Sequence, residues 1–363
     1  MVNRQLILVT GGAGFVGSAV VDRLVADGHE VRVVDLLHPG AHAAMPDYLA
    51  PGVEYQWGDL ADPAVAGEAV RGVDAVCHQA SMVGLGVDFA DVTDFAHHNV
   101  VATASLLRAL HDRSFRGRLV LASSMVVYGE GAYRCAAHGP VRAPARREED
   151  LARGRFDPRC ERCGRDLEVV RVQEDAPLDP RSVYAATKVH QEHLCAAYGR
   201  EHAAPVLALR YHNVYGPRMP ASSPYSGVAA IFRSAYEEGR APKVFEDGAQ
   251  QRDFVHVDDV ATANQLALGA PGAVTGACNV ASGTAHTVLD LARALHQAIP
   301  GAPPPEVSGS WRAADVRHVL ASTSRAEAEL GFRAAMGFAE GVPAFAGAPL
   351  RASVETVGSV PSS

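Results

Sequence analysis

The chain has 363 residues, of which 48% are hydrophobic and 20% are charged, and its formal net charge is -8 at pH 7. This composition predicts a globular protein of one large or two moderate domains, and its acidic balance argues against a surface that binds nucleic acid. No apolar run has the length needed to span a bilayer and no cleavage site for export is evident, so we expect no membrane partner and a cytoplasmic location.

Short apolar segments alternate with helical patterns from the first residues onward. This alternation predicts an α/β fold built on a Rossmann-type doubly wound parallel sheet, whose strands are apolar because helices cover both faces. The segments that carry this prediction are Leu6 to Val9, Val31 to Val34, Ala75 to Cys77, Leu119 to Ala122 and Val206 to Leu209.

A glycine-rich turn joins the first predicted strand to the first helix, over Thr10 to Gly17. Gly11, Gly14 and Gly17 have the spacing that lets backbone N–H groups approach a pyrophosphate at a helix N-terminus. A glycine triplet alone is weak evidence, because an ordinary flexible turn can have the same spacing. Between a strand and a helix, it predicts a dinucleotide site.

An acidic residue supports this interpretation. Asp35 closes the second predicted strand 24 residues after Gly11, where a carboxylate can accept hydrogen bonds from both adenosine ribose hydroxyls. It would repel a 2′-phosphate, so the sequence favours NAD over NADP. Asp59 and Leu60 follow a third strand-like segment, and they either hold the adenine edge or form a strand-end turn.

The alternation is interrupted from Gly131 to Pro177. We interpret residues 131–177 as an insertion that is too polar to bury a core of its own. Four residues in two close pairs have the spacing of a structural zinc site, and a metal would order such a segment. Reduced or redox-active cysteines are the alternative. The four candidate ligands are Cys135, His138, Cys160 and Cys163.

Three further residues form a candidate catalytic set. Ser124 ends the fifth predicted strand, and Tyr184 precedes Lys188 by four residues, which places the last two on one helix face. A phenol of ordinary pKa must be shifted by roughly 3 units to act as a base near pH 7, and a neighbouring ammonium favours that shift. Ser124 would donate to the same substrate oxygen. Together with a dinucleotide, the set predicts redox chemistry on an alcohol.

Beyond Tyr215 the pattern becomes mixed and turn signals are frequent. We predict an NAD-binding domain over residues 1–212 and about 251–280, and a smaller C-terminal substrate domain over 213–250 and 281–342. From residue 343 to 363, Ala, Gly, Pro and Ser predominate, which predicts a disordered tail.

With these motifs the chain resembles the extended short-chain dehydrogenase/reductases, in their NAD-dependent sugar epimerase/dehydratase branch, over roughly residues 5 to 340. Many ordered matches carry the resemblance. They are Thr10 to Gly17, Asp59-Leu60, His78 to Ser81, Asn99, Ser123-Ser124 with Val127-Tyr128-Gly129, Tyr184 to Lys188, Arg210 to Pro217, and Arg252 to Asp259.

The resemblance implies roles for individual residues. Asn213, Arg252 and Arg312 would hold the diphosphate of a nucleotide sugar together with Ser124 at the sugar, and a surface ion pair is the alternative for each arginine. A homodimer would form through the helices of Asn99 to Leu110 and Tyr184 to Tyr198. The residues implied to hold NAD are Gly11, Gly14, Phe15, Val16, Gly17, Asp35, Asp59, Leu60, Gln79, Ala80, Ser81, Asn99 and Lys188.

The two residues after Ser124 select the reaction. Sugar dehydratases and decarboxylases of the family have a glutamate two positions after the hydroxyl residue, whereas this chain has Met125 and Val126. These side chains cannot transfer protons, so the resemblance implies 4-epimerisation by hydride abstraction and return. A zinc-knuckle-like insertion is similar to that of dTDP-L-rhamnose 4-epimerases, which makes dTDP-L-rhamnose and dTDP-6-deoxy-L-talose the first expectation. Epimerisation of UDP-glucose and UDP-galactose, net reduction, and a non-catalytic NAD-binding scaffold remain alternatives.

Overall fold

A computed structural model describes residues 4–84, 89–221, 227–312 and 315–351. Strands and helices alternate over the first half of the chain, as predicted. The strands are β1 Leu6–Thr10, β2 Glu30–Asp35, β3 Glu54–Trp57, β4 Ala75–His78, β5 Arg118–Ser124, β6 Ala132–Cys135, β7 Gly139–Val141, β8 Glu168–Val170, β9 Val206–Tyr211, β10 Asn213–Tyr215, β11 Lys243–Val244, β12 Gln251–His256, β13 Gly276–Val280, β14 Ala285–Thr287 and β15 Glu306–Val307.

Helices cover both faces of the main sheet and part of the smaller domain. They are α1 Phe15–Ala26, α2 Pro63–Ala69, α3 Val92–Phe95, α4 Ala102–Asp112, α5 Glu148–Leu151, α6 Val183–His202, α7 Val228–Glu237, α8 Val257–Gly269, α9 Val288–Ala298, α10 Ser324–Leu330 and α11 Phe338–Gly347. A π-helical segment over Ala96–Val101 leads into α4, and 3₁₀ turns span Phe89–Asp91 and Met125–Tyr128.

The main sheet has seven parallel strands in the order β13-β9-β5-β4-β1-β2-β3. This is the predicted doubly wound topology, with its switch point between β1 and β4, and the predicted fold class is confirmed. The central strands are apolar on both faces; Ile7, Leu8 and Val9 of β1 are all inaccessible to solvent. Helices pack on each side into two separate cores. The carboxyl ends of β1, β2, β4 and β5 therefore meet at one edge, where a ligand can bind.

The smaller domain contains a three-stranded sheet in the order β10-β12-β14. One predicted boundary is wrong here, because residues 251–256 form β12 of this sheet, whereas the following α8 and β13 belong to the large domain. The apolar run of β12 passes directly into α8, so sequence alone offers no break between the domains. The core of this part includes Phe254, Leu291 and Phe345.

The insertion folds as a three-stranded antiparallel sheet in the order β7-β6-β8. The expectation that it lacks a core is wrong, since Tyr133, Ala143 and Leu167 are buried together with Cys135 and Cys160. The cluster is small, and two of its members are candidate metal ligands. Order in the insertion therefore depends on both packing and whatever the cysteines bind.

The predicted start of a disordered tail at residue 343 is also wrong. Helix α11 continues through Pro343 to Gly347, and Val342 and Phe345 are buried against the smaller domain. Pro343 itself is exposed, and packing of the buried residues beside it stabilises the helix despite the proline. The remainder of the predicted tail, from residue 352 on, lies outside the described residues. Among the helices that are described, none combines the length and hydrophobicity of a membrane-spanning segment.

Candidate active site

The glycine turn forms a cradle that side chains would fill. A Cβ on Gly11, whose φ is +68°, would lie 2.7 Å from the Cα of Ala80, and a Cβ on Gly17 would lie 2.0 Å from the carbonyl oxygen of Gly11. Helix α1 begins after Gly14, and no side chain of the described residues caps it. Its first N–H groups, those of Phe15 and Val16 among them, can therefore face a pyrophosphate. The cradle fits a dinucleotide.

We predict that Gly17→Ala weakens NAD binding by roughly tenfold or more, because helix α1 must move away from the turn to accommodate the new methyl group. The matched control is Gly67→Ala in α2, where an added Cβ meets no atom within 4 Å. Bound NAD is measured per mole of purified protein and by calorimetric titration. Equal NAD affinity in Gly17→Ala and wild type would show that the close packing of this turn is dispensable.

Two carboxylates lie at the expected edge of the sheet. Asp35 accepts hydrogen bonds from the N–H groups of Ala13 at 3.0 Å and Leu37 at 2.8 Å, which ties the end of β2 to the glycine turn. The carboxylate of Asp59 lies 2.7 Å from Nε2 of His97, while Leu60 is buried. The structure therefore brings both carboxylates near the cradle, and it gives Asp59 a protein partner that sequence spacing did not indicate.

The loop after β4 contains the other residues implied to hold NAD. The Gln79 amide donates to Asn264 and Tyr211, at 2.9 and 3.0 Å, and so points into the protein. The Ala80 N–H donates to Thr10, and Ser81 donates to Asn99.

Asn99 itself is inaccessible to solvent, and its side chain forms hydrogen bonds to other residues of the protein. Its amide nitrogen donates to Met82 O at 3.0 Å and Thr187 Oγ1 at 2.9 Å, and its oxygen accepts from Met82 N at 2.7 Å. With the Ser81 bond its oxygen is fully used. Asn99 thus links the β4 loop to α6, which makes it a supporting residue, and any direct contact with NAD stays a prediction.

The three predicted catalytic residues come together at the end of β5. Ser124 ends that strand beside the phenol of Tyr184, whose pKa its hydroxyl lowers. Ser182 caps α6 by accepting from Ala185 N, which starts the helix so that Tyr184 and Lys188 are one turn apart. Lys188 is 2% exposed; its Nζ donates to the carbonyl of Ala122 at 2.8 Å and lies 5.9 Å from the centre of the Tyr184 ring.

Burial perturbs both titrating groups of this set. It raises the pKa of Tyr184 to about 12, an effect that the hydrogen bond from Ser124 opposes. It lowers the pKa of Lys188 to about 7, and the nearby Glu192 carboxylate opposes that change. Burial therefore makes the required shift of the phenol pKa larger than the roughly 3 units expected for a phenol of ordinary pKa. Ionising the phenol near pH 7 requires on the order of 7 kcal/mol of additional electrostatic stabilisation.

Glu192 is a buried residue of this site that sequence reasoning missed. It lies one helical turn beyond Lys188 and binds the guanidinium of Arg210 through both oxygens, at 3.0 and 2.8 Å. Ser123 donates to the same carboxylate, and Arg210 also donates to Tyr128 at 2.9 Å. The spacing Lys188 to Glu192 was a usable signal, because it repeats the spacing from Tyr184 to Lys188.

A cavity of about 140 Å³ adjoins the catalytic residues. Its wall contains Met125 and Val126, which directly follow Ser124, and Ser182 and Ala185, which flank Tyr184. The acid in the wall is Asp315, and it is paired with Arg312 at 3.0 Å. The position from which a dehydratase of this kind would transfer a proton is therefore apolar. The lining residues that the sequence did not predict as site residues are Gly129, Arg181, Ser182, Ala185, Asp315, Val316 and Val319.

The three residues predicted to hold the diphosphate have different surroundings, and one of them lines this cavity. Arg252 lines the cavity. Its guanidinium donates to the backbone carbonyls of Val316 at 2.6 Å and Arg317 at 2.8 Å, and some of its N–H donors remain for a ligand. Arg312 is exposed and stacks 5.0 Å from the ring centre of Phe245. The amide oxygen of Asn213 is buried and has no hydrogen-bond partner among the described residues.

The four cysteine and histidine ligands predicted in the insertion converge. Their ligand atoms all lie within 4.8 Å of one another. Cys135 Sγ is 3.5 Å from His138 Nδ1 and 3.6 Å from Cys163 Sγ, and Cys160 Sγ is 3.4 Å from the same histidine nitrogen. Tetrahedral zinc with bonds of about 2.3 Å to sulfur separates its ligands by about 3.8 Å. The donor set and its spacing fit zinc.

Comparisons with known proteins agree with this geometry. The profile of the NAD dependent epimerase/dehydratase family matches residues 7–159 and 160–281. The dTDP-L-rhamnose 4-epimerase of Burkholderia thailandensis is 35% identical over 350 residues, 94% of this chain and 94% of that protein. The UDP-glucose 4-epimerase of Mycolicibacterium smegmatis is 31% identical over 92% and 95%. A solved UDP-glucose 4-epimerase of Thermus thermophilus, in complex with NAD, has a TM-score of 0.75 and 30% identity over 94% and 97%.

Proposed function

The chain belongs to the NAD dependent epimerase/dehydratase family, and from its site we propose that it is a nucleotide-sugar 4-epimerase acting on dTDP-L-rhamnose and dTDP-6-deoxy-L-talose. The observation that carries this proposal is the Ser124, Tyr184 and Lys188 set beside a cavity whose nearest wall is Met125 and Val126. The set can move a proton on a carbinol oxygen. The apolar wall offers no acid or base for elimination of water.

Each of the three catalytic residues has its own role in the proposed reaction. Tyr184 accepts the proton of the C4 hydroxyl and later returns it, while Ser124 donates a hydrogen bond to the same oxygen. Lys188, held by the Ala122 carbonyl, adds positive charge beside the phenol in its protonated form. NAD held at the glycine turn would supply the hydride acceptor at C4, the hydride donor for its return, and the further positive charge that lowers the phenol pKa.

The similar proteins support the proposed sugar nucleotide and leave one alternative substrate. The 35% identity to a dTDP-L-rhamnose 4-epimerase, over almost the whole chain, favours a dTDP-6-deoxyhexose. Epimerisation of UDP-glucose and UDP-galactose is the alternative, because UDP-glucose 4-epimerases are also similar over most of their length. A non-catalytic scaffold is disfavoured, because Ser124, Tyr184 and Lys188 are all present and lie together at the end of β5.

The proposal is tested by incubating the protein separately with dTDP-L-rhamnose, UDP-glucose and UDP-galactose in heavy water and following each by proton NMR. We expect dTDP-L-rhamnose to give its C4 epimer with no deuterium at C4, and to turn over faster than either UDP-sugar. Faster turnover of the UDP-sugars would select the alternative. Loss of water or a stable ketone product would contradict epimerisation.

We further propose that Cys135, His138, Cys160 and Cys163 bind one structural zinc ion. All four positions are protein ligands, so the site is closed and has no place for substrate. Reduced cysteines without metal are the alternative, and the 3.6 Å separation of Cys135 and Cys163 Sγ matches ligands of one ion. The Cys-x-x-Cys segment of Cys160 and Cys163 would act only as a clamp.

Removing one ligand tests this assignment. We predict that Cys160→Ser lowers bound zinc from about one per chain to near zero and lowers the melting temperature of the insertion, because the ion orders a core of few residues. The matched control is Cys278→Ser, a buried cysteine outside the cluster, which should keep its zinc. Metal content is measured by mass spectrometry on protein expressed with zinc. Zinc-free wild-type protein, or equal zinc in both variants, would contradict the assignment.

We also propose a homodimer formed by α4 and α6. The two helices pack side by side, and on the opposite side they leave Ala104, Arg108, Ala186, His193 and Ala197 exposed. Small residues allow two such helix pairs to approach closely. Sedimentation equilibrium distinguishes a dimer from a monomer.

A further inference from the structure

The insertion is joined to one segment of the substrate domain, residues 315–322. Glu130, just before the insertion, accepts a hydrogen bond from the N–H of Arg317 at 2.9 Å, and Val172, near its end, pairs with Ala321 as a parallel bridge. Asp157 binds the side chains of both Arg317, at 2.9 Å, and His318, at 3.1 Å. Contacts therefore come from the beginning, middle and end of the inserted residues.

Arg146 makes the most buried of these contacts. Its side chain is only 3% exposed, and Nη1 donates to Glu246 of the substrate domain at 2.5 Å. Its Nη2 donates to two backbone carbonyls, those of Asp315 at 2.5 Å and Arg312 at 3.4 Å. An arginine fork suits this arrangement because it reaches a carboxylate and two carbonyls at once.

The carbonyls that Arg146 holds belong to the segment that lines the cavity. Asp315 and Val316 are in the cavity wall, and the Val316 carbonyl accepts from Arg252 on the other side. The next residue, Arg317, has a side chain that is 1% exposed. Its guanidinium binds the carboxylates of Glu246 and Asp247, each at 2.7 Å, and so fixes the chain at this position. Arg312 and residues 315–317 therefore lie between Arg252 of the substrate domain and Arg146 of the insertion.

We propose that Arg146 is a positioning residue for nucleotide-sugar binding, and that the insertion acts through it as a fixed outer support of the substrate cavity. This inference rests on the proposed function for the class of ligand. Arg146 does not line the cavity; it acts by fixing the backbone at Arg312 and Asp315, and so the orientation of Arg252 and Arg312 toward a diphosphate. Among the described residues, the side-chain partners of Arg146 are Glu130, Glu246, Arg312 and Asp315, none of which belongs to the glycine cradle, so the NAD site should not depend on Arg146.

The test compares Arg146→Met, which removes the donors and keeps the apolar stem, with Arg146→Lys, which restores charge without the fork. The matched control is Arg153→Met, an exposed arginine of the same insertion. For each variant, KM and kcat are measured with dTDP-L-rhamnose, and Kd is measured for dTDP and UDP. Bound NAD and zinc are quantified in the same preparations. We expect Arg146→Met to raise KM and the Kd of the preferred nucleotide roughly tenfold or more, with kcat changed about threefold or less and NAD content unchanged.

Arg146→Lys should recover part of the lost affinity, and Arg153→Met should match wild type. An unchanged KM and Kd in Arg146→Met would overturn the proposal, as would an equal loss of NAD, since that would indicate general damage. If Arg146→Met does not fold, Arg146→Lys decides: a KM raised about threefold or more supports positioning by the fork, and a wild-type KM overturns it. Failure of the wild-type protein to epimerise any of the sugars would instead count against the proposed function, while dTDP and UDP binding would still report on Arg146.

Discussion

Replacing Tyr184 with phenylalanine is expected to lower kcat about 10³-fold, because the variant has no group that can take the proton from the C4 hydroxyl. The substitution keeps the ring, whose centre lies 6.2 Å from that of Phe95, and removes only the phenol hydroxyl. The fold and the glycine cradle should therefore be unaffected. We expect bound NAD per chain to equal that of wild type while turnover of the nucleotide sugar is lost.

The matched control is Tyr198→Phe. Tyr198 is buried on the same helix, and its hydroxyl donates to the carbonyl of Phe115 at 2.8 Å, away from the catalytic set. This variant should lose about 1 kcal/mol of stability and keep its kcat. Full turnover by Tyr184→Phe would remove the phenol from the mechanism, and equal losses in the two variants would attribute the effect to folding.

Replacing Lys188 with methionine is expected to lower kcat about 10²-fold and to change how stability depends on pH. Burial lowers the pKa of Lys188 from 10.5 to about 7, so the folded protein binds fewer protons than the unfolded chain between these values. The contribution of this residue to stability is then fully present above pH 10.5 and is lost as the pH falls toward 7. Between pH 7 and about pH 9.5, the free energy of unfolding of wild type should rise relative to Lys188→Met by roughly 3 kcal/mol.

Urea unfolding of both proteins at several pH values measures this difference. The matched control is Lys243→Met, which removes an exposed lysine and should show no comparable change with pH. If the difference in free energy of unfolding between wild type and Lys188→Met stays constant from pH 7 to pH 9.5, burial does not destabilise the ammonium of Lys188.

Sequence patterns predicted the features that depend on local spacing. The glycine turn, the parallel sheet and the meeting of Ser124, Tyr184 and Lys188 follow from strand ends and helical turns, which short-range geometry determines. The convergence of the four insertion ligands was predicted on the same basis, because each pair forms a tight turn. What the spacing could not give is the distance between the two turns, which depends on the packing of Tyr133 and Leu167.

The features that sequence missed depend on long-range packing. Arg146 and Arg317 are 171 residues apart, yet both bind Glu246 in the interior, and no local pattern distinguishes them from exposed arginines. The second half of helix α11, from residue 343, was assigned to a disordered tail because its composition is rich in Ala, Gly and Pro, whereas burial of Phe345 decides its structure. The raised pKa of Tyr184 has the same origin, since it results from burial, which local spacing does not reveal.

The central claim is that hydrogen leaves C4 of a nucleotide sugar and returns to the same carbon from the same molecule of bound NAD. Its most direct test uses dTDP-L-rhamnose deuterated at C4, in ordinary water, with the epimer examined by NMR and mass spectrometry. We predict that the C4 epimer retains the deuterium at C4, with no exchange into a pool of added NAD. Loss of the deuterium to solvent or to added NAD, or a product lighter by one water, would contradict the account.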